Sequence, residues 1–196
     1  MPHDQTILIA FLIACVSLLY ATVGQAGGTA FLAVMAFAGF PADEMRPTAL
    51  LLNIVVAGYA TWRLHRSGVI DWRLLLPIML PSLVTAFLGG LLVLSGPIYF
   101  TTTGAVLIAA SGLMLFGRKT GNDTATVRLL PAVLVGAVAG FLSGVTGVGG
   151  GVFLVPQLVL FGMASAKRAA GISAPFILFN SALGLAGALF AGQQIA

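Results

Sequence analysis

Charge is what this sequence most lacks. Asp, Glu, Lys and Arg make up 7% of its 196 residues, against about 25% in soluble domains. With 59% hydrophobic residues and a mean hydropathy of +1.09, the chain reads as an all-α polytopic membrane protein. Cysteine is nearly absent. Cys15, alone in an apolar run, gives no disulfide framework and no metal-ligand spacing. His3 and His65 leave nothing for a metal or haem inside the membrane, so no cofactor is expected. The opening Met-Pro-His-Asp-Gln lacks the basic region of a signal peptide, so the first apolar run is expected to remain as a span. The net charge of +4 does not indicate nucleic acid, because the nine Lys and Arg are scattered among short loops. Those read as topology signals.

No ionisable side chain is expected deep within an apolar segment. That argues against an intramembrane enzyme, which needs a base or a metal, and against a proton relay of buried carboxylates. It also makes an inorganic cation an awkward substrate.

What is present is glycine, concentrated at two places. Gly144-Val-Thr-Gly147-Val-Gly149-Gly150-Gly151-Val-Phe-Leu-Val-Pro156 lies between apolar runs, and a weaker copy occurs at Gly24-Gln25-Ala26-Gly27-Gly28-Thr29-Ala30-Phe31-Leu32. Such runs interrupt a helix and leave peptide N–H and C=O groups without intrahelical partners. In lipid those groups must be buried in protein or face a polar cavity. Gly136, Gly140 and Gly144 recur every fourth residue and read instead as a close-packing helix face. A phosphate loop is rejected because Val152-Phe153, and no Lys-Ser/Thr, follows the last glycine.

Apolar segments are expected at 6–23, 29–42, 47–62, 74–94, 98–117, 129–146, 152–166 and 169–192. The 14 residues from Thr29 to Ala42 fall short of the roughly 20 that a full crossing needs. The polar stretch at 118–128 divides the chain, giving a first membrane repeat at 1–117, a cytoplasmic linker at 118–128 and a second repeat at 129–196. Gly27-Gly28-Thr29-Ala30-Phe31-Leu32 aligns with Gly149-Gly150-Gly151-Val152-Phe153-Leu154, and Asn53 falls near Asn180. Five segments before the divider imply that the second copy enters from the opposite face, an inverted repeat. Alternation puts loops 63–73, 117–128 and 163–168 on one side, with eight of the nine basic residues; Arg46 alone falls on the other. Excess positive charge marks the cytoplasmic side, so the N-terminus is expected outside.

The elbows are expected to be broken helices whose N-terminal N–H groups point into a central site, an arrangement that suits an anion. Neutral polar residues flank them. Gln25, Thr29, Thr48, Asn53, Thr146, Ser173 and Asn180, with Gly27, Gly28, Gly149, Gly150 and Gly151, form the candidate substrate site. Each polar one has a plainer reading as a helix–helix hydrogen bond. Arg46 either attracts anions or sits in the interface.

The paired elbows resemble the sulfite exporter TauE/SafE family, as do Arg46-Pro-Thr48-Ala-Leu-Leu-Leu-Asn53 and Lys167-Arg168-Ala-Ala-Gly171-Ile-Ser173. The string Gly147-Val-Gly-Gly-Gly151-Val-Phe-Leu-Val-Pro156 is its most recognisable feature. The resemblance covers nearly the whole chain and implies a bacterial inner-membrane transporter of sulfite, sulfonate or related organosulfur anions. Its partners would be the small anion and the lipid bilayer. Nothing in the second half corresponds to Leu74–Gly117. The competing reading is therefore a non-transporting membrane subunit or truncated packing module. The chain is accordingly expected either to self-associate as a homo-oligomer through its C-terminal half, at small residues such as Gly171, Gly184 and Gly187, or to be poorly stable.

Overall fold

The computed structural model describes the backbone of residues 3–22, 26–116 and 129–195. The expected linker at 118–128 and the polar candidate Gln25 lie outside the described residues. Eight helices are described: α1 His3–Thr22, α2 Gly28–Phe37, α3 Ala42–Arg66, α4 Trp72–Leu91, α5 Gly96–Phe116, α6 Leu129–Thr146, α7 Gly151–Leu160 and α8 Ala166–Phe190. There is no strand among the described residues.

Most starts and stops follow from local chemistry. Asp71 caps α4 by accepting a hydrogen bond from the Leu74 N–H at 3.1 Å, and Ser165 caps α8 by accepting from the Arg168 N–H at 3.3 Å. Helix α3 begins earlier than its apolar run suggests. Asp43 and Glu44 in its first turn and Arg63, His65 and Arg66 in its last complement the helix dipole, so the charged cluster is helix and not loop. Arg46 therefore lies inside a helix and is only 1% exposed. This corrects the expectation that no ionisable side chain is buried within an apolar segment.

α4, α6, α8 and the Gly96–Leu113 part of α5 are long and apolar enough to cross a bilayer. Their outer faces are apolar as well: Leu80 and Val84 of α4 are each 63% exposed, and Ile108 of α5 is 75% exposed. Water would penalise such surfaces, whereas lipid does not. At one end, Trp62 and Trp72 flank the basic loop, with the Arg66 guanidinium 4.7 Å from the Trp62 ring. Amphipathic aromatics of this kind favour the membrane–water boundary. The chain is a multi-pass membrane protein.

The core is a glycine seam. A Cβ at Gly136, Gly140 or Gly144 of α6 would overlap the carbonyl oxygens of Ile78, Ser82 and Ala86 on α4. The four-residue spacing is thus a packing face, as its period indicates. α8 joins the seam near the end of α4: a Cβ at Gly187 of α8 would lie 3.0 Å from the Gly90 Cα, and one at Gly184 would lie 3.4 Å from the Gly144 Cα of α6. Gly171 of α8 meets Val69 of the loop between α3 and α4. The small residues expected to serve self-association are therefore packed within the chain itself.

Helix directions follow from these contacts. α4 and α8 run parallel, joined at their starts by Asp71 and Arg168 (Nη2 to Oδ2, 2.6 Å) and near their ends at Gly90 and Gly187. α3 and α8 run antiparallel, since Leu50 packs at Gly184 and Leu178 at Gly58. The Asp71–Arg168 pair also brings loops 63–73 and 163–168 to one end. Partial burial pushes the Asp71 carboxyl up, but hydrogen bonds from the Arg168 side chain and the Leu74 N–H outweigh it. The net pKa lies below the ordinary carboxylate value.

Candidate functional site

The two glycine elbows meet. A Cβ on Gly28 would overlap the Val148 carbonyl oxygen and lie 2.7 Å from the Asn53 Nδ2, so the first elbow rests directly on the second with Asn53 at the junction. The Asn53 Nδ2 donates to the Gly147 carbonyl at 3.2 Å. Each elbow starts a short helix of 10 residues, α2 or α7. Each is preceded by a glycine in left-handed conformation, Gly27 at φ 92° and Gly150 at φ 79°. An L side chain at either position would be strained.

Neither helix start has a side-chain cap. The N–H groups of Ala30 and Phe31 turn back to the Gly27 carbonyl, and those of Phe153 and Leu154 to the Gly150 carbonyl. Among the described residues, no acceptor pairs with the N–H groups of Gly28, Thr29, Gly151 or Val152. Each helix N-terminus carries roughly half an elementary positive charge, so the two together present about one.

Side chains line the junction from α3, α6 and α8. A Cβ at Gly149 would lie 2.9 Å from the Asn53 Nδ2 and 3.2 Å from the Ser181 Oγ; one at Gly150 would lie 3.2 Å from the Ser143 Cβ. Asn53, Ser143 and Ser181 are each 0% exposed. The Ser143 Oγ, the Ser181 Oγ and the Asn53 Oδ1 have no hydrogen-bond partner. Orphaned buried polar atoms are costly, about 1–3 kcal/mol each, and a bound ion or ligand is one way to supply the missing bond. Gly27, Gly28 and Gly147–Gly151 are also buried, so the junction is closed to solvent.

The sequence-selected residues divide into groups. Gly27, Gly28, Asn53, Thr146, Gly149, Gly150 and Gly151 come together at the elbows. Thr146 shapes the turn: its hydroxyl donates to the Leu142 carbonyl at 2.6 Å and accepts from the Val148 N–H at 3.3 Å. Its carbonyl accepts from the Tyr99 hydroxyl at 2.8 Å. Ser173 lies beside Gly151, but its hydroxyl is spent on the Ala169 carbonyl at 2.9 Å. Asn180, next to Ser181, donates Nδ2 to the Phe176 carbonyl at 2.8 Å and leaves Oδ1 without a partner. The Thr29 hydroxyl pairs with the Tyr20 hydroxyl at 3.1 Å. Thr48 lies five residues before Asn53 on α3, about 140° around the helix from it.

Neither Ser143 nor Ser181 belongs to the candidate site chosen from the sequence. Ser143 does precede Gly144 on the packed α6 face, a placement that a helical projection shows. Among the described residues, no three His, Cys, Asp or Glu gather to hold a metal ion. Elsewhere, a groove of about 460 Å³ between α5, α6 and α7 is apolar apart from Gln157. Lipid tails fit it better than an anion.

Two helix starts meet over buried hydroxyls inside a bundle with an apolar exterior, and the family this chain matches makes it a membrane transporter by class. The chain matches the family described as Sulfite exporter TauE/SafE over residues 8–195, and it belongs to that family. It is 35% identical over 187 residues to "Probable membrane transporter protein y4hK" of Sinorhizobium fredii (strain NBRC 101917 / NGR234), covering 92% of this chain and 74% of that protein. It is 29% identical over 151 residues to "Probable membrane transporter protein MJ0441" of Methanocaldococcus jannaschii, covering 75% of this chain and 56% of that one. No solved structure matches it.

Proposed function

We propose that the chain moves small oxyanions of the sulfite, sulfonate or related organosulfur class across a bacterial inner membrane, holding them where its two elbows meet. The observation that carries this reading is the convergence of two uncapped helix N-termini on unpartnered, fully buried serine hydroxyls. About one unit of helix-derived positive charge, with N–H and O–H donors and no carboxylate among the contacts described there, matches a small anion. It does not match a metal cation. The family name supports the choice of sulfur oxyanions.

The arrangement also supports an inverted repeat. α2 and α7 have 10 residues each and α3 and α8 have 25 each. The counterparts α3 and α8 run antiparallel, the relation that inversion requires. Closure of the junction corresponds to an occluded state, and rocking of one repeat on the other would open it to either side.

The test is uptake of radiolabelled sulfite into proteoliposomes. Gly150→Leu places a branched side chain at φ 79°, where even its Cβ lies 2.9 Å from the Phe176 ring. Uptake should vanish while the protein still inserts and accumulates. Full uptake by this variant would move the site away from the elbow.

A further inference from the structure

Arg46 heads the fully buried side chains by volume, and among the described residues no carboxylate forms an ion pair with it. Isolating a guanidinium from water without an anion is costly unless its donors are satisfied. Five neutral oxygens meet them. Nη1 donates to the Leu92 carbonyl at 2.6 Å and, at 3.5 Å each, to the carbonyls of Gly89 and Val145. Nη2 donates to the Gly90 carbonyl at 2.7 Å. These carbonyls cluster at the ends of α4 and α6, where helix dipoles concentrate negative partial charge.

The remaining edge is different. Nε and Nη2 both donate to a single oxygen, the side-chain Oε1 of Gln193, at 2.9 and 2.6 Å. That edge is the fork by which arginine grips an oxyanion with two parallel bonds, and such charge-assisted bonds are about twice as strong as those to a neutral oxygen. Gln193 is the one side-chain acceptor in the set. It lies beyond the last turn of α8, half-buried between the exposed residues Gly192 and Gln194.

We propose that Arg46 is an anion subsite leading to the elbow, and that the Gln193 Oε1 occupies the place of one anion oxygen until the anion displaces it. The ligand class is a trigonal or tetrahedral oxyanion whose two oxygens bridge Nε and Nη2. The subsite adjoins the elbow, since a Cβ at Gly147 would lie 3.0 Å from the Arg46 Cγ. The route therefore rests on the elbow reading above, while the subsite itself can be tested separately.

The experiment measures equilibrium binding of radiolabelled sulfite, and thermal stability, for the purified full chain and two variants of Gln193. Gln193→Ala removes the competing oxygen and the two bonds it accepts, and should tighten sulfite binding at least about tenfold. Gln193→Glu fills the fork with a permanent carboxylate. It should raise the melting temperature and weaken binding at least tenfold. These opposite shifts in affinity are the signature. A Gln193 that merely ties down the chain would lower stability on truncation and leave sulfite affinity unchanged in both variants, and that result overturns the proposal. If only one variant accumulates, its shift alone decides. Unchanged affinity in the Gln193 variants, with binding abolished in Gly150→Leu, would remove the subsite and keep the elbow. The predicted Gln193 shifts, with Gly150→Leu binding and transporting normally, would keep the subsite and remove the elbow.

Discussion

Gly140→Ala tests the packing seam with one added methyl group. That methyl would lie 2.6 Å from the Ser82 Cα and 2.7 Å from the Thr85 Oγ1, and would overlap the Ser82 carbonyl oxygen. Ordinary carbon–carbon contact lies at about 3.5–4.0 Å, so α4 and α6 must part locally by roughly 1 Å. A gap of that size forfeits between about a quarter and a half of each dispersion contact along the seam. Overpacking of this kind costs about 1–3 kcal/mol. The greater helix propensity of alanine returns up to about 1 kcal/mol. The net expectation is a loss of about 1–2 kcal/mol. Gly112 of α5 is the control: nothing lies within 4 Å of its added Cβ, so Gly112→Ala should be neutral or stabilising by up to about 1 kcal/mol. Reversible unfolding of both variants in mixed micelles reads the difference. Equal stability for Gly140→Ala and Gly112→Ala would refute the close approach of α4 and α6.

Two further outcomes concern the end of the bundle where α4 and α8 begin. The Asp71 pKa is depressed in the folded chain, so its stabilisation is fully present above the unfolded value, about 3.9, and fades as pH falls through the folded one. Thermal stability should fall on acidification below about pH 4, less steeply in Asp71→Asn; because the pair is partly exposed, its share is at most about 1 kcal/mol. A wild-type-like acid limb in Asp71→Asn would remove the ion pair from the account. In a Cys15→Ala background, single cysteines at the exposed positions Ser67 and Lys167 should both resist an impermeant thiol reagent in intact cells. Labelling of both would reverse the orientation expected from the distribution of basic residues, and labelling of one would separate two loops that the Asp71–Arg168 pair holds together.

What could be read in advance followed from local signals. The second elbow was legible because three consecutive glycines in an apolar run interrupt a helix, the first because Gly27-Gly28 repeats that pattern more weakly, and the α6 seam because its glycines keep a four-residue period. The start of α3 was not, since Asp43, Glu44 and Arg46 resemble a loop when counted by hydropathy alone. Whether Arg46 is buried depends on acceptors at Gly89, Gly90, Leu92 and Gln193, which only the folded bundle brings to it. Ser143 and Ser181 were obscured for a similar reason. An isolated serine in a membrane helix usually bonds its own backbone, as Ser173 does here. Only the crossing of α6 and α8 at the elbows distinguishes the two serines that do not. Gly184 and Gly187 pointed outward in the sequence reading because their partner on α4, Gly90, lies far away along the chain.

The central claim is that an anion is held at the elbow by helix N-termini and the hydroxyls of Ser143 and Ser181. Equilibrium binding of radiolabelled sulfite to the purified double variant Ser143→Ala/Ser181→Ala tests it most directly, because neither hydroxyl bonds the protein and the truncations cost the fold little. A hydrogen bond to a charged group contributes about 1.5–3 kcal/mol, so affinity should fall at least about a hundredfold while the melting temperature stays close to that of the parent. Sulfite binding as tight as in the parent chain would contradict the claim.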